Sequence, residues 1–346
     1  MITYVRKGRG APSNETGRFE KLKVEYDDDI FINPKTTFFK DTSKSIISTN
    51  DSPDLGFSMS VNPYRGCEHG CVYCYARPTH EYFGFSAGVD FETKILVKQN
   101  APQLLHKEIM SKNYKPDTIF LSGVTDCYQP AEKKFELTRG CISVLSEFKN
   151  PFIIVTKNQL VTRDIDIIAP MSKINAAKVV LSVTTLDAEL GGVMEPRASR
   201  PELRLKAIRE LRNNGVSVGV NVAPIIPGLT DHEIPDILSA AKDAGATFAN
   251  FTIVRLPHSV KYIFQEWLDH HYPNKKNKIL NRIRSLRGGK LYKAEFGTRM
   301  KGEGEFSEMV ATLFDRYCKK LRLNEEKRLV TAEHFRKPGE QLSLGI

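Results

Sequence analysis

The sequence predicts an α/β protein: a partial, open (β/α) barrel of the TIM type with about six units, an irregular N-terminal extension and a basic helical C-terminal region. Three observations lead there. Short apolar, β-branched runs alternate with helix-spaced segments over roughly 200 residues, the signature of parallel strands joined by helical crossovers. A closed eight-fold barrel usually takes ~250 residues, so a smaller number of units fits the count. With 346 residues, 40% hydrophobic and 27% charged, the chain can bury a large core without a staple, and its composition excludes a disordered or collagen-like protein.

Residues 1–54 carry Gly, Pro, Asn and Ser clusters and the acidic run Asp27–Asp29, and read as irregular. Barrel residues 55–256 follow. Strands are expected at Ser58–Val61, Ile95–Val97, Thr118–Ser122, Phe152–Thr156, Val179–Thr184, Ser217–Ala223 and Phe248–Val254. Helices are expected at Ala101–Met110, Lys134–Phe148, Arg163–Met171, Pro201–Asn213 and Pro235–Ala244. Pro201 and Asp231 supply start signals, and Gly215 and Gly245 supply stops. Residues 257–330 turn helical and basic, and 331–346 read as a tail. No run approaches the ~18 apolar residues of a membrane span and the start lacks an apolar signal core, so a cytoplasmic protein with no membrane attachment is expected.

The net charge is +10, and it is local. Between Tyr272 and Lys301 ten basic residues face one acid, Glu295, so this stretch supplies nine of the ten excess charges. Lys275, Lys276, Lys278, Arg282, Arg284, Arg287 and Lys290 form its body. Such a stripe suits phosphate neutralisation, with nucleic acid, expected to be DNA, as partner; a merely solvated helix face is the other reading.

Six cysteines are too few for a secreted disulfide scaffold, and three crowd into eight positions. Cys67, Cys71 and Cys74 follow C-x3-C-x2-C spacing within PYRGCEHGCVYCYARPTHEY, just after the first expected barrel strand. Three thiolates on one loop can each hold one iron of a [4Fe-4S] cubane and leave the fourth open to an exchangeable ligand. A structural zinc site would need a fourth Cys or His, for which His69 and His80 are the candidates. Cys127, Cys141 and Cys318 are scattered, so no second cluster site is expected, and Cys141 reads as buried filling.

With Tyr73 before the third cysteine, the triplet resembles the signature of the radical S-adenosylmethionine (SAM) enzymes. Further blocks (KGRGAPSN, SGVTDCYQPAEKK, VTKN, SVTT, EPRASRPELRLKAIREL and VAPIIPGLTD) make nearly the whole chain similar to the uncharacterised bacterial branch of the spore photoproduct lyase-like group. The resemblance implies a [4Fe-4S] cluster that cleaves SAM to methionine and a 5′-deoxyadenosyl radical for hydrogen abstraction, with a small electron donor such as flavodoxin or ferredoxin. It further implies that Tyr73 contacts adenine, Lys157 pairs with the SAM carboxylate and Ser182 contacts the methionyl part. Ser122, Thr125 and Asp126 would lie at a strand's carboxyl end beside SAM. Arg197 is a candidate for carboxylate or ribose, or else an ion-pair partner of Glu195. In the lyase group a cysteine returns a hydrogen atom to the product radical; Cys127, although not at the matching position, is the candidate donor, with Tyr128 as competing relay and buried packing as the plain reading. DNA repair is the function this resemblance favours. A tRNA, nucleotide or small-metabolite substrate stands behind it, and a non-catalytic, metal-stabilised DNA-binding protein is the alternative from another class.

The last six residues, QLSLGI, resemble the peptide by which bacterial repair proteins dock on the sliding clamp. Gln341 would set register, while Leu344 and Ile346 would enter an apolar pocket.

Overall fold

The computed structural model describes residues 7–15, 17–19, 35–325 and 329–338. Six strands form its parallel backbone: β1 (Met59–Val61), β2 (Ile119–Leu121), β3 (Phe152–Thr156), β4 (Ala177–Ser182), β5 (Val218–Ile225) and β6 (Phe248–Ile253). They pair in sequence order with parallel registers, such as Ile119↔Phe152 and Ser182↔Asn221. Each is followed by a helix: α1 (Ala101–Met110), α2 (Leu137–Glu147), α3 (Ile165–Lys173), α4 (Pro201–Asn213), α5 (Ile234–Asp243) and α6 (Val260–His271). Period-two alternation explains the layering. In β3, Phe152, Ile154 and Thr156 are buried while Ile153 and Val155 are half-buried, so one face packs fully and the other only in part. Because every parallel strand runs the same way, all six carboxyl ends share one edge, and polar loop residues collect there.

The expected start and stop signals act as predicted at three places. Pro201 opens α4, and Gly215 and Gly245 follow α4 and α5 with φ of 78° and 102°. Asp231 does not cap: its carboxylate accepts from the Gly228 amide at 2.6 Å, and a 3-10 turn, Asp231–Glu233, precedes α5. The helix expected over Lys134–Phe148 is broken, because Glu136 at φ 49° separates the short helix Glu132–Phe135 from α2. Ile95–Val97 does form a strand, but Lys94–Val97 belongs to a separate sheet between Thr37–Lys40 and Tyr64–Arg65. The seven expected strands thus divide into six in the main sheet and one outside it. Ile47–Thr49, in the segment read as irregular, adds an antiparallel edge to β1.

The C-terminal region is helical as expected: α6 is followed by α7 (Pro273–Ser285) and α8 (Glu305–Lys320). Trp267 of α6 is buried and donates its indole N–H to the Val193 carbonyl at 3.1 Å, docking the region on the short helix Ala188–Met194 that follows β4. Phe314 of α8 packs on Phe251 of β6 with ring centroids 4.7 Å apart. Cys141 is fully buried in the core. Among the described residues no helix is long and apolar enough to cross a membrane.

Candidate cluster and cofactor site

The loop carrying Cys67, Cys71 and Cys74 leaves the short strand Tyr64–Arg65 at the carboxyl edge and ends in the 3-10 helix Arg77–Phe83. Backbone bonds moor it at three places: Cys67 N to Phe91 O at 2.8 Å, Val72 N to Met194 O at 3.1 Å and Arg197 N to His69 O at 3.2 Å. Gln129 spans the loop, donating to the Gly66 carbonyl at 3.0 Å and accepting from the Glu68 amide at 2.9 Å. Arg77 is wholly buried beneath it. Its guanidinium donates to the carbonyls of Cys71, Gly70, Ala87 and Gly88 and to Glu92 Oε1 at 2.6 Å. Glu92 in turn accepts from the amides of Gly10 and Ala11 at 3.0 and 2.8 Å, which clamps the N-terminal segment over the loop. Gly10 is needed here, since a Cβ on it would fall 1.7 Å from the Gly70 carbonyl oxygen.

All three thiols are free, with Cys67 and Cys71 buried and Cys74 half-buried. Burial pushes each thiol pKa upward, and the neighbouring charge of Asp126 raises Cys67 further. Cations nearby act the other way: Lys157 on Cys71, and Arg77 and Lys157 on Cys74. The two histidines weighed as a fourth zinc ligand lie in different surroundings. His69 Nδ1 lies 3.3 Å from Asp126 Oδ2 and its Nε2 lies 3.2 Å from Asn158 Nδ2, so both nitrogens are engaged. His80 is buried among Phe83, Phe85 and Phe91. Among the described residues no three His, Cys, Asp or Glu side chains close around a single metal ion.

Beside the loop, the strand ends gather a buried charge network. Lys157, just past β3, donates from Nζ to the Ala223 carbonyl at 2.9 Å and to Thr184 Oγ1 at 3.0 Å, and lies 3.2 Å from Glu195 Oε1. Glu195 is 2% exposed. It also accepts from the Tyr73 hydroxyl, from Thr184 at 2.6 Å and, at its other oxygen, from Arg204. Burial, with the Arg204 charge adding to it, brings the Lys157 ammonium down to about 7. Tyr73 thus reaches the network through its hydroxyl, and its ring lies 5.7 Å from Lys157 Nζ. Ser182 is buried at the end of β4, in register with Asn221 of β5, whose buried Oδ1 has no hydrogen-bond partner.

The other expected site residues are more structural in their bonds. Asp126 accepts from the Lys157 amide and the Thr156 hydroxyl, both at 2.7 Å, and from the Tyr128 amide at 2.9 Å. Burial alone would raise its pKa, yet His69 and these donors hold it below the usual carboxylate range. Ser122, with φ of 89°, accepts from the Cys127 amide at 2.9 Å. Thr125 donates to the Tyr64 carbonyl at 3.2 Å. Cys127 is 1% exposed and burial raises its thiol pKa. Tyr128 is fully buried and its hydroxyl donates to Asp164 at 3.0 Å, toward the helical layer. Arg197 pairs with Glu68 at 2.8 Å and not with Glu195, whose carboxylate is filled by Arg204, Lys157, Thr184 and Tyr73.

Of the basic residues, Lys275, Lys278 and Lys290 are exposed. Lys276 pairs with Asp269 at 2.6 Å, Arg282 lies 3.5 Å from Asp231, and Arg284 donates to Asn281 at 2.9 Å. Arg287 does not belong to the stripe's surface. It is 2% exposed, and its guanidinium ties the carbonyls of Thr298, Arg299 and Val254 together at 3.0, 2.8 and 3.0 Å. Like Ile283 and Leu286 it is buried and faces inward. Gln341, Leu344 and Ile346 lie outside the described residues.

Sequence reasoning missed Glu195 and Arg204 as the centre of the network, having weighed Glu195 only as a partner for Arg197. The available signal was the EPRASRPELR block, which places one acid nine positions before an arginine on a helix face that turns out to be buried.

A parallel α/β sheet, a loop of three free thiols, two of them buried, at its carboxyl edge and a cation-bearing polar network beside them suit an enzyme that holds an iron–sulfur cluster and a polar cofactor side by side. The donor set fits that group: three thiols on one moored loop leave a fourth position to an outside ligand, and the partnerless Asn221 Oδ1 waits for a donor. The model of the radical SAM superfamily matches residues 61–241, and the chain belongs to that superfamily. It is a radical SAM enzyme, and its cofactors are a [4Fe-4S] cluster and SAM. An uncharacterised protein of Mycobacterium tuberculosis (strain H37Rv) is 35% identical over 253 residues, covering 72% of this chain and 73% of that one. One from Methanocaldococcus jannaschii is 31% identical over 252 residues, covering 72% and 90%. The fold is also similar to a spore photoproduct lyase solved with a dinucleoside spore photoproduct, with a TM-score of 0.62 at 16% identity over 84% of this chain and 81% of that one.

Proposed function

We propose that the protein is a cytoplasmic radical SAM enzyme acting on nucleic acid, DNA first, in a repair-like reaction that begins with hydrogen abstraction from a nucleotide. The observation that carries this reading is the shared edge. Arg282 of α7 stands over Gly228 and Asp231 in the loop after β5, on the same carboxyl edge that bears the cysteine loop. Phosphate-neutralising charge and radical chemistry would then face one substrate. The fold likeness to a lyase solved with a dinucleoside lesion supports it.

In this reading the sheet curves as an open barrel over residues 55–256, preceded by the extension 1–54 and followed by the basic region 257–330. Cys67, Cys71 and Cys74 hold the cluster, and Lys157 offers its ammonium to the SAM carboxylate. Ser182 and Asn221 supply polar contacts, and Tyr73 packs against adenine. When bound, the reduced cluster and SAM supply a 5′-deoxyadenosyl radical. The chain's own work is to orient and to exclude water. Arg77 and Glu92 seal the loop from beneath, while Glu195 and Arg204 hold Lys157 and Tyr73 in place. Cys127 remains the candidate hydrogen donor, being buried one residue from Asp126. Reduction would come from flavodoxin or ferredoxin, and residues 341–346 would dock on the sliding clamp.

The test is anaerobic reconstitution with iron and sulfide, reduction, and incubation with SAM and either damaged or undamaged DNA, followed by mass spectrometry of both. Formation of 5′-deoxyadenosine with a mass change in the damaged strand is expected. If 5′-deoxyadenosine forms but no DNA is altered, and binding to DNA is weak with a flat salt dependence, the substrate is a small molecule instead.

A further inference from the structure

A cavity opens on the flank of the cysteine loop, away from the charge network. It measures about 210 Å³, and Arg18, Tyr75, Tyr82, Arg255, His258 and Tyr292 bound it. No carboxylate lines it among the described residues. Glu81, which pairs with Arg18, is itself only 3% exposed and also accepts from Ser259 at 3.0 Å.

Its rings stay accessible although each has a partner: Phe19 stacks on one face of Tyr82 with centroids 5.3 Å apart, and the Tyr75 hydroxyl donates to the Gly123 carbonyl at 2.8 Å. Tyr82 is 68% exposed and Tyr75 46% exposed, although buried positions abound nearby. Cations lie against these rings: Arg255 sits 4.4 Å from the Tyr75 centroid and Arg18 sits 5.9 Å from that of Tyr82. His258 holds a φ of 47°, a left-handed conformation that non-glycine residues seldom keep without a local constraint, and its ring lies 6.4 Å from Tyr292. Exposed rings interleaved with guanidinium groups favour flat, electron-rich partners carrying negative charge.

In a duplex the base faces are stacked on one another and cannot meet these rings; in an unpaired strand they can. The cavity falls below the ~300–1,000 Å³ of pockets that enclose drug-sized ligands, so it suits one ring system at a time with the chain running past. One wall, Tyr75, directly follows Cys74, and Arg255 and His258 follow the carboxyl end of β6, so a strand lying here leads to the cluster's mouth. We infer that this pocket docks an unpaired stretch of nucleic acid, with bases stacked on Tyr82 and Tyr292 and phosphates against Arg18 and Arg255. The inference rests on the nucleic-acid reading above and adds to it the strand state the protein selects.

Fluorescence anisotropy tests it with the full-length protein, a labelled oligothymidylate and the same strand annealed to its complement. The single strand is expected to bind more tightly than the duplex. Tyr82→Ala is expected to weaken the single strand about tenfold, as for loss of one stacked base, while leaving the duplex unchanged. Tyr82→Phe, which keeps the ring, should retain the affinity. Tyr292→Ala provides a second reading should the Tyr82 variant melt early. Equal binding of both forms, unmoved by either alanine, overturns this inference and leaves the nucleic-acid reading standing. No binding of either form overturns both.

Discussion

Replacing Glu195 with alanine isolates the energetics of the buried network. The side chains of Glu195 and Arg204 are 1% and 2% exposed, and Lys157 shares the same carboxylate. Removing the acid leaves two cations in a poorly solvated site, and breaking a buried pair in this way costs about 3–5 kcal/mol. With an unfolding entropy of ~2.1 cal/mol/K per residue, 346 residues give about 0.7 kcal/mol/K, so the midpoint should fall by about 4–7 °C. The assay is thermal unfolding followed by circular dichroism, with wild type, Glu195→Ala, Arg204→Met and the double variant. The double variant should be less destabilised than the sum of the singles, because removing both charges removes the unpaired one. Strict additivity, or a Glu195→Ala midpoint within a degree of wild type, would refute the claim that these charges depend on one another.

Three further outcomes follow from the same geometry. Any one of Cys67→Ala, Cys71→Ala or Cys74→Ala should abolish iron retention and 5′-deoxyadenosine formation after anaerobic reconstitution, read by iron analysis and chromatography; retention of both in any variant contradicts the three-ligand assignment. Gly10→Ala, whose Cβ would collide with the Gly70 carbonyl, should release the N-terminal segment and speed limited proteolysis there, with an overpacking cost of about 1–3 kcal/mol or more. Burial lowers the His80 pKa to about 4 from its usual 6.5, so the folded state binds fewer protons than the unfolded one between those values. Its contribution is therefore intact above pH 6.5 and is lost as pH falls toward 4, by about 3 kcal/mol in all. In His80→Phe this pH-dependent loss should be absent, so the variant gains about 3 kcal/mol relative to wild type as pH falls from 6.5 to 4, as measured by denaturant unfolding at each pH.

The alternation of β-branched runs and helix-spaced segments made the parallel fold legible, because period and length are local properties of the chain. The cysteine triplet was legible for the same reason, since its three thiols sit on one short loop. Lys157 was singled out through the resemblance carried by VTKN, and the structure places it beside Glu195 in the buried network. Glu195 and Arg204 were not, since a charged residue in sequence reads as solvated until its partners close around it. Arg287 shows the opposite case: counted with the basic stripe, it turns inward and holds three backbone carbonyls.

The sequence by itself determined the class of fold, the cluster-bearing loop and the local excess of positive charge, all of which depend on neighbours a few positions apart. Only the tertiary structure decided which acid pairs with which base, that the strand Lys94–Val97 leaves the main sheet, and that Tyr82, Arg18 and Tyr292 meet beside Cys74. Those contacts join residues up to hundreds of positions apart, and the free energy of burying or exposing each group is set by what the fold brings against it, not by its place in the chain.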